Sequence, residues 1–144
     1  MTDIQARSGS VPQGNSSTYY PLAGSTFPVG TPLIQVVGVD GTVNPGDASS
    51  AETSQVVGVA SGAGVEGHGV PVQYAGPMTL TVDQWHAVLD TFHHPQGGLE
   101  SGLTYYLSNN TGKISTTQQA ISVQIGVALS ETEMLVQIGP PIVL

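Results

Sequence analysis

The chain has no cysteine, and among its 144 residues only Arg7 and Lys113 are basic. Without thiols there are no disulfides, no cysteine nucleophile and no thiolate metal site. Ten acidic residues against two basic ones leave a net charge of −8. Direct nucleic-acid binding needs clustered Lys and Arg to displace counterions, so that class is excluded, as is adsorption to an anionic membrane. No apolar run approaches the ~18 residues of a membrane span. The stretch MTDIQARSGSVPQGNSS has no apolar signal core, so no Sec export is expected, and the sequons at Asn15 and Asn109 are expected to go unused. Charge of either sign is scarce: 8% of residues, against about 25% in ordinary domains. A surface so poor in charge is weakly protected against association, and much of it is expected to lie under partners.

What is abundant is glycine, and one glycine-rich stretch imitates a nucleotide site. Gly62-Ala63-Gly64-Val65-Glu66-Gly67 spells G-x-G-x-x-G. In a dinucleotide site a helix follows at once and aims its amides at the pyrophosphate. Here His68-Gly69-Val70-Pro71-Val72-Gln73-Tyr74 follows, a β-branched run with a proline, and Glu66 would repel phosphate. The stretch reads as a wide strand connection.

Residues 1–28 mix Gly, Pro, Ser, Asn and Gln with isolated apolar residues: Ile4, Val11, Tyr19, Tyr20, Leu22 and Phe27. They read as an extended arm carrying anchors, or as a tail whose last residues, 19–27, tuck onto the body. From Gly30 onward short β-rich runs alternate with turn signals: 32–39, a hairpin turn at Asp40-Gly41, 42–43, 55–60, 70–75 and 78–81. Thr81 and Gln84 form a capping box, and Val82, Trp85, Val88, Leu89 and Phe92 make one apolar stripe, which predicts a helix over about 82–92 with Trp85 as a lid on the core. Further strands are expected at 102–108, 113–115, 121–128 and 134–139.

The second half echoes the first. Gly30-Thr31-Pro32-Leu33-Ile34, Gly41-Thr42-Val43 and Val57-Gly58-Val59-Ala60 find counterparts in Gly102-Leu103-Thr104-Tyr105-Tyr106, Gly112-Lys113-Ile114 and Ile125-Gly126-Val127-Ala128. Val70-Pro71-Val72-Gln73 aligns with Leu135-Val136-Gln137-Ile138, which puts the glycine-rich stretch in the place of 129–133. The expected fold is all-β: an antiparallel barrel or sandwich closed by two pseudo-repeated meanders, about 30–80 and 99–140, with the helix between them. It forms a single domain over 29–144 behind the arm.

Chemistry has few candidates. His68, His86, His93 and His94 include no pair spaced to share a face, so no metal site is expected. Glu131 and Glu133, or Asp83 and Asp90, would serve as paired acids of a glycosidase only if folding brought them together. There is no G-x-S-x-G elbow. No enzyme activity and no cofactor are expected.

The runs 57–60, Gly69-Val70-Pro71-Val72 and Ala75-Gly76-Pro77, preceded by Gly30-Thr31-Pro32-Leu33 and Gly41-Thr42-Val43, resemble the small head-decoration (cement) proteins of tailed bacteriophages. Residues 97–108 through Gly112 to 124–130 resemble a module of phage structural proteins that also occurs in fibre and tail components. The resemblance covers about 29–139. It implies a compact β domain, commonly a homotrimer, on the outer surface of the virion capsid. There it would bind the major capsid protein, with the N-terminal arm adding a strand to a capsid edge and Ile4, Val11, Tyr19, Tyr20, Leu22 and Phe27 as the binding residues. The alternative it carries is a tail-fibre or baseplate module that recognises a host surface.

Overall fold

A computed structural model describes residues 17–91 and 96–144. Ile4, Val11, Phe92, His93 and His94 lie outside the described residues. Among the described residues the architecture is all-β with one short helix. In chain order the strands are β1 (Thr18–Tyr19), β2 (Leu22–Ala23), β3 (Pro32–Gln35), β4 (Thr42–Pro45), β5 (Val56–Ala60), β6 (Val72–Gln73) and β7 (Ala75–Thr79). The helix α1 (Val82–Val88) follows, then β8 (Thr104–Leu107), β9 (Ile114–Ser115), β10 (Ile121–Ser122), β11 (Gln124–Ala128), β12 (Glu133–Gln137) and β13 (Ile142–Val143).

Two units share one strand permutation. The first sheet runs β1-β6-β5-β3-β4 with β2 added outside β4, the second runs β7-β12-β11-β8-β9, and β10 with β13 forms a separate ribbon. The equivalence holds residue by residue. Pro32, Leu33 and Ile34 pair with Val59, Gly58 and Val56, while Thr104, Tyr105 and Tyr106 pair with Val127, Gly126 and Gln124, and both ladders shift register at the same step. Val57 and Ile125 are therefore matching bulge residues. Gly58 and Gly126 are glycines because the next strand crowds them: a Cβ on Gly58 would come within 2.6 Å of Val72 Cγ1, and one on Gly126 would strike the Leu135 carbonyl oxygen.

The register corrects one alignment. Ala60 faces Val72 as Ala128 faces Met134, so Gln73 corresponds to Leu135, three positions away from the match of Val70 with Leu135 that the sequence suggested. Aligning by residue type failed there because β6 pairs over two residues only, too few to impose a pattern. Two turns also move. The strand expected over 32–39 ends at Gln35, because the chain reverses at Gly38, whose φ is 80°, and Val39 N–H turns back to the Val36 carbonyl. The run expected at 70–75 divides at Tyr74, leaving β6 in one sheet and β7 in the other.

The two units form the all-β body expected, a barrel or sandwich, and each sheet has its own core. Leu33, Val43, Ala60, Val70 and Val72 fill the first with Ala23 and Phe27. Trp85, Val88, Leu89, Tyr105, Leu107, Ile114, Ile125 and Met134 fill the second. The physical reason is how the edges are covered. β1 pairs antiparallel with β6 and β7 with β12, so the edge of each unit's last strand is closed by a strand from earlier in the chain. The units then stack rather than merge, with Ala48 and Val59 of the first packed into the core of the second.

Residues 17–28 belong to this body. β1 lies at one end of the first sheet and β2 at the other, paired parallel with β4. Tyr19 and Leu22 are only three positions apart, a reach of at most about 11 Å, whereas the outer strands of six laid flat would be about 24 Å apart. The sheet is therefore curled until its ends meet across this segment. Pro21 and Ala23 bond residues 67–70 on one side while Leu22 and Gly24 bond Gly41 and Val43 on the other. Phe27 exchanges two backbone bonds with Gly64, at 2.9 and 3.1 Å, and its ring fills the space where a Gly64 side chain would stand. That is the work of the glycine-rich loop, which runs on to β6 and not to a helix.

The helix begins as its capping box dictates: Gln84 N–H donates to Thr81 Oγ1 at 3.1 Å, and Thr81 N–H donates to Gln84 Oε1 at 2.9 Å. It stops at Val88, short of the expected 92, because Leu89 turns extended and bridges Ile114 in parallel, as Ala23 pairs with Val43. The helix is thus an insertion between β7 and a position that has a counterpart in the first unit. Trp85 is fully buried, and its indole N–H donates to the Thr132 carbonyl at 2.8 Å.

Two substitutions test this architecture by urea denaturation. Phe27→Ala is expected to cost about 3–5 kcal/mol, as for a core aromatic and not a free arm. Gly126→Ala is expected to cost about 1–3 kcal/mol through overpacking against β12.

Candidate interaction surface

The anchors expected along the arm divide into two kinds. Phe27 is buried in the core of its own chain and Tyr19 packs against that core. Tyr19 also meets Tyr74 at 6.4 Å between ring centroids, and burial pushes its phenol above the ordinary tyrosine range. Tyr20 and Leu22, by contrast, point outward, 73% and 49% exposed. In β2 the pleat accounts for this, with Leu22 facing out and its neighbour Ala23 facing the core.

Leu22 adjoins the tip of the β3–β4 hairpin through its N–H, which donates to the Gly41 carbonyl at 2.8 Å. That tip presents Val37, 70% exposed, and Val39. Beside it lies a groove of about 520 Å³ lined by Val36, Val37, Val39, Ala51 and Val57 together with Asp40 and Glu52. The sequence carried a trace of this surface in the run Val36-Val37-Gly38-Val39. Reading Asp40-Gly41 as the turn placed those valines in a strand and hid it.

A second polar feature joins the two units. The Asp47 carboxylate accepts from the Ser49 N–H at 3.0 Å, from the Ser49 hydroxyl, from Thr53 Oγ1 at 2.9 Å and, across the unit boundary, from Thr111 Oγ1 at 3.0 Å. Gly112 N–H donates to the Gly46 carbonyl at 2.8 Å and Ala48 N–H to the Ser108 carbonyl at 2.9 Å beside it. Burial alone would push the Asp47 carboxyl up, but the hydrogen bonds from Ser49, Thr53 and Thr111 outweigh it and hold the group below its usual range.

The acids considered for catalysis lie on the β11–β12 turn and β12, and on and just after the helix. Glu131 lies in the turn before β12, where its Oε2 accepts from Gly98 N–H at 3.5 Å, and Glu133 opens β12. Asp90 is buried and accepts from Ser108 Oγ at 2.8 Å and Asn110 Nδ2 at 3.0 Å, while Asp83 sits in the first turn of the helix. His86 is half-buried with Nδ1 2.9 Å from the Gly97 carbonyl, and His68 is exposed. Among the described residues no three His, Asp or Glu side chains gather where they could hold a metal ion, and no helix is long and apolar enough to cross a membrane.

No protein-family model matches the chain, and no curated protein matches it.

The Asp47 cluster sets a sign for acid stability. A carboxyl held below its unfolded value stabilises the fold above the usual carboxylate range, and that contribution is lost as pH falls through the folded value. Urea midpoints followed from neutral pH into acid are expected to fall more steeply for the parent chain than for Asp47→Asn, which starts lower at neutral pH and has a flatter acid limb.

Proposed function

We propose that this chain is a head-decoration protein of a tailed bacteriophage, seated on the outer surface of the capsid and bound to the major capsid protein, where it staples neighbouring subunits. One observation carries the reading: the first unit exposes apolar side chains, Tyr20 and Leu22 after β1 and, at the hairpin tip that Leu22 adjoins, Val37 and Val39. Patches of this kind on a protein otherwise poor in charge mark surfaces that partners cover. The resemblance of 29–139 to the decoration family supplies the kind of partner, and with it a homotrimeric state.

Two stacked sheets with separate cores make a stiff plug, suited to bridging subunits without turnover. Cementing is then linkage: a ligand that binds only the mature shell stabilises it by its binding free energy, and one that touches several subunits gains further through effective concentration. Tyr20 and Leu22 supply apolar anchors, and the arm's strand-adding role falls to residues 1–16, since β1 and β2 already pair within their own sheet.

Particles carrying the protein test this directly. It is expected in many copies spread over the head, and heads stripped of it should lose heat resistance; a few copies confined to the tail would reject the reading. Deleting residues 2–16 removes none of β1, β2 or Phe27, so the body should fold while head binding is lost. Tyr20→Ser and Leu22→Ser should each weaken head binding by about thirtyfold, the scale of one interfacial hot spot. Unchanged binding by the deletion would exclude the arm as a capsid contact.

A further inference from the structure

The pseudo-symmetry of the chain leaves one contact half used. Within the molecule, the loop at 46–48 that leaves β4 is held by the β8–β9 tip at 108–112, through Gly112 to Gly46, Ala48 to Ser108 and Thr111 to Asp47. Both participants have a counterpart in the other unit. The tip corresponds to residues 36–41: Val36 N–H bonds the Thr42 carbonyl as Ser108 N–H bonds that of Lys113, and Gly41 and Gly112 share positive φ, 66° and 76°. The inserting loop corresponds to 117–119, because Val43 and Ile114 are equivalent through their parallel partners Ala23 and Leu89, and Asp47 and Gln118 each lie four positions further on. The groove of about 520 Å³ described above opens at the 36–41 tip, the counterpart of the surface that is covered within the chain.

We propose that the chain self-associates head to tail, the 117–119 loop of one copy seating in the groove at the 36–41 tip of the next. The contact between molecules thereby repeats the one that joins the two units within each molecule.

The chemistry of the two surfaces is complementary. The groove is lined by valines together with Asp40, Glu52, Gln35 and Gln55, and the chain has almost no cations to offer its carboxylates. The loop brings Thr117, Gln118 and Gln119, whose hydroxyl and amide donors suit carboxylates without requiring a positive charge. Gln118 Nε2 gives one hydrogen to Tyr106 Oη at 3.2 Å, and a primary amide has a second to give. Donor and acceptor exchange places relative to the internal contact: there the acid, Asp47, is on the loop and the donor, Thr111, is on the tip, whereas between copies Asp40 is on the tip and Gln118 on the loop. A contact made by two different patches is heterologous, so it closes a ring if the rotation permits and otherwise continues as a filament.

The inference does not rest on the capsid reading and is tested on the isolated full chain by sedimentation velocity, with circular dichroism to confirm folding. The parent chain is expected to form oligomers. Val39→Glu blocks the groove and Gln118→Glu sets a carboxylate against Asp40; both sites are exposed, and each variant alone is expected to be a monomer. Mixed, they are expected to form a one-to-one dimer through the single intact pair of surfaces, and adding Asp40→Lys to Gln118→Glu should restore the parental oligomer. A parent chain that is monomeric at every concentration, a single variant that keeps the parental oligomer, or a mixture no larger than its components overturns the proposal.

Discussion

A strand at the end of a sheet exposes a row of N–H and C=O groups, and the management of those rows shapes this molecule more than any side chain does. Each unit is a four-strand sheet, β6-β5-β3-β4 in the first and β12-β11-β8-β9 in the second, whose last strand is bordered by a strand that comes earlier in the chain: β1 for the first, β7 for the second. Because β7 follows β6 directly, the chain leaves the first unit as the border of the second. The stacking of the units, the separation of their cores and the place of Ala48 and Val59 in the core that holds Trp85 follow from that connection.

The two units put the same framework to different uses. In the first, a short crossing at Tyr20-Pro21 leads to Ala23 beside β4; in the second, the corresponding interval carries a capped helix before Leu89 reaches β9. The helix gives the second unit a large core built around Trp85. The first unit lacks such an insertion and fills its core with Phe27, admitted by a glycine in the loop opposite. It is also the first unit that keeps an apolar hairpin tip open to solvent, and this division of labour, one unit for bulk and one for contact, underlies both proposals made for the protein.

The repeat was legible because glycines at crowded or left-handed positions do not drift: Gly30 and Gly102, Gly41 and Gly112, and Gly58 and Gly126 each answer the same local demand in both halves. The capping box was legible for a similar reason, being a reciprocal hydrogen bond written in two residues. What stayed hidden depended on contacts distant in sequence. Nothing local to Phe27 announces that it will lie against Gly64, and nothing in Val37 or Val39 distinguishes a strand valine from one at a turn. The inter-unit clasp at Asp47 was unreadable too, since its partner Thr111 lies 64 positions away. Leu89 read as helix because its place in the stripe was right, but its backbone was claimed by Ile114.

The path of residues 17–28 also has a mechanical side. Tension applied through the residues before Thr18 would meet first the two-residue ladder between β1 and β6, which opens pair by pair, and next the segment gripped on both flanks by Gly41 to Val43 and by 67–70. Behind that stands an aromatic ring lodged across from Gly64. The segment before Phe27 therefore yields at low load, while the grip around Phe27 holds until the curled sheet itself comes apart.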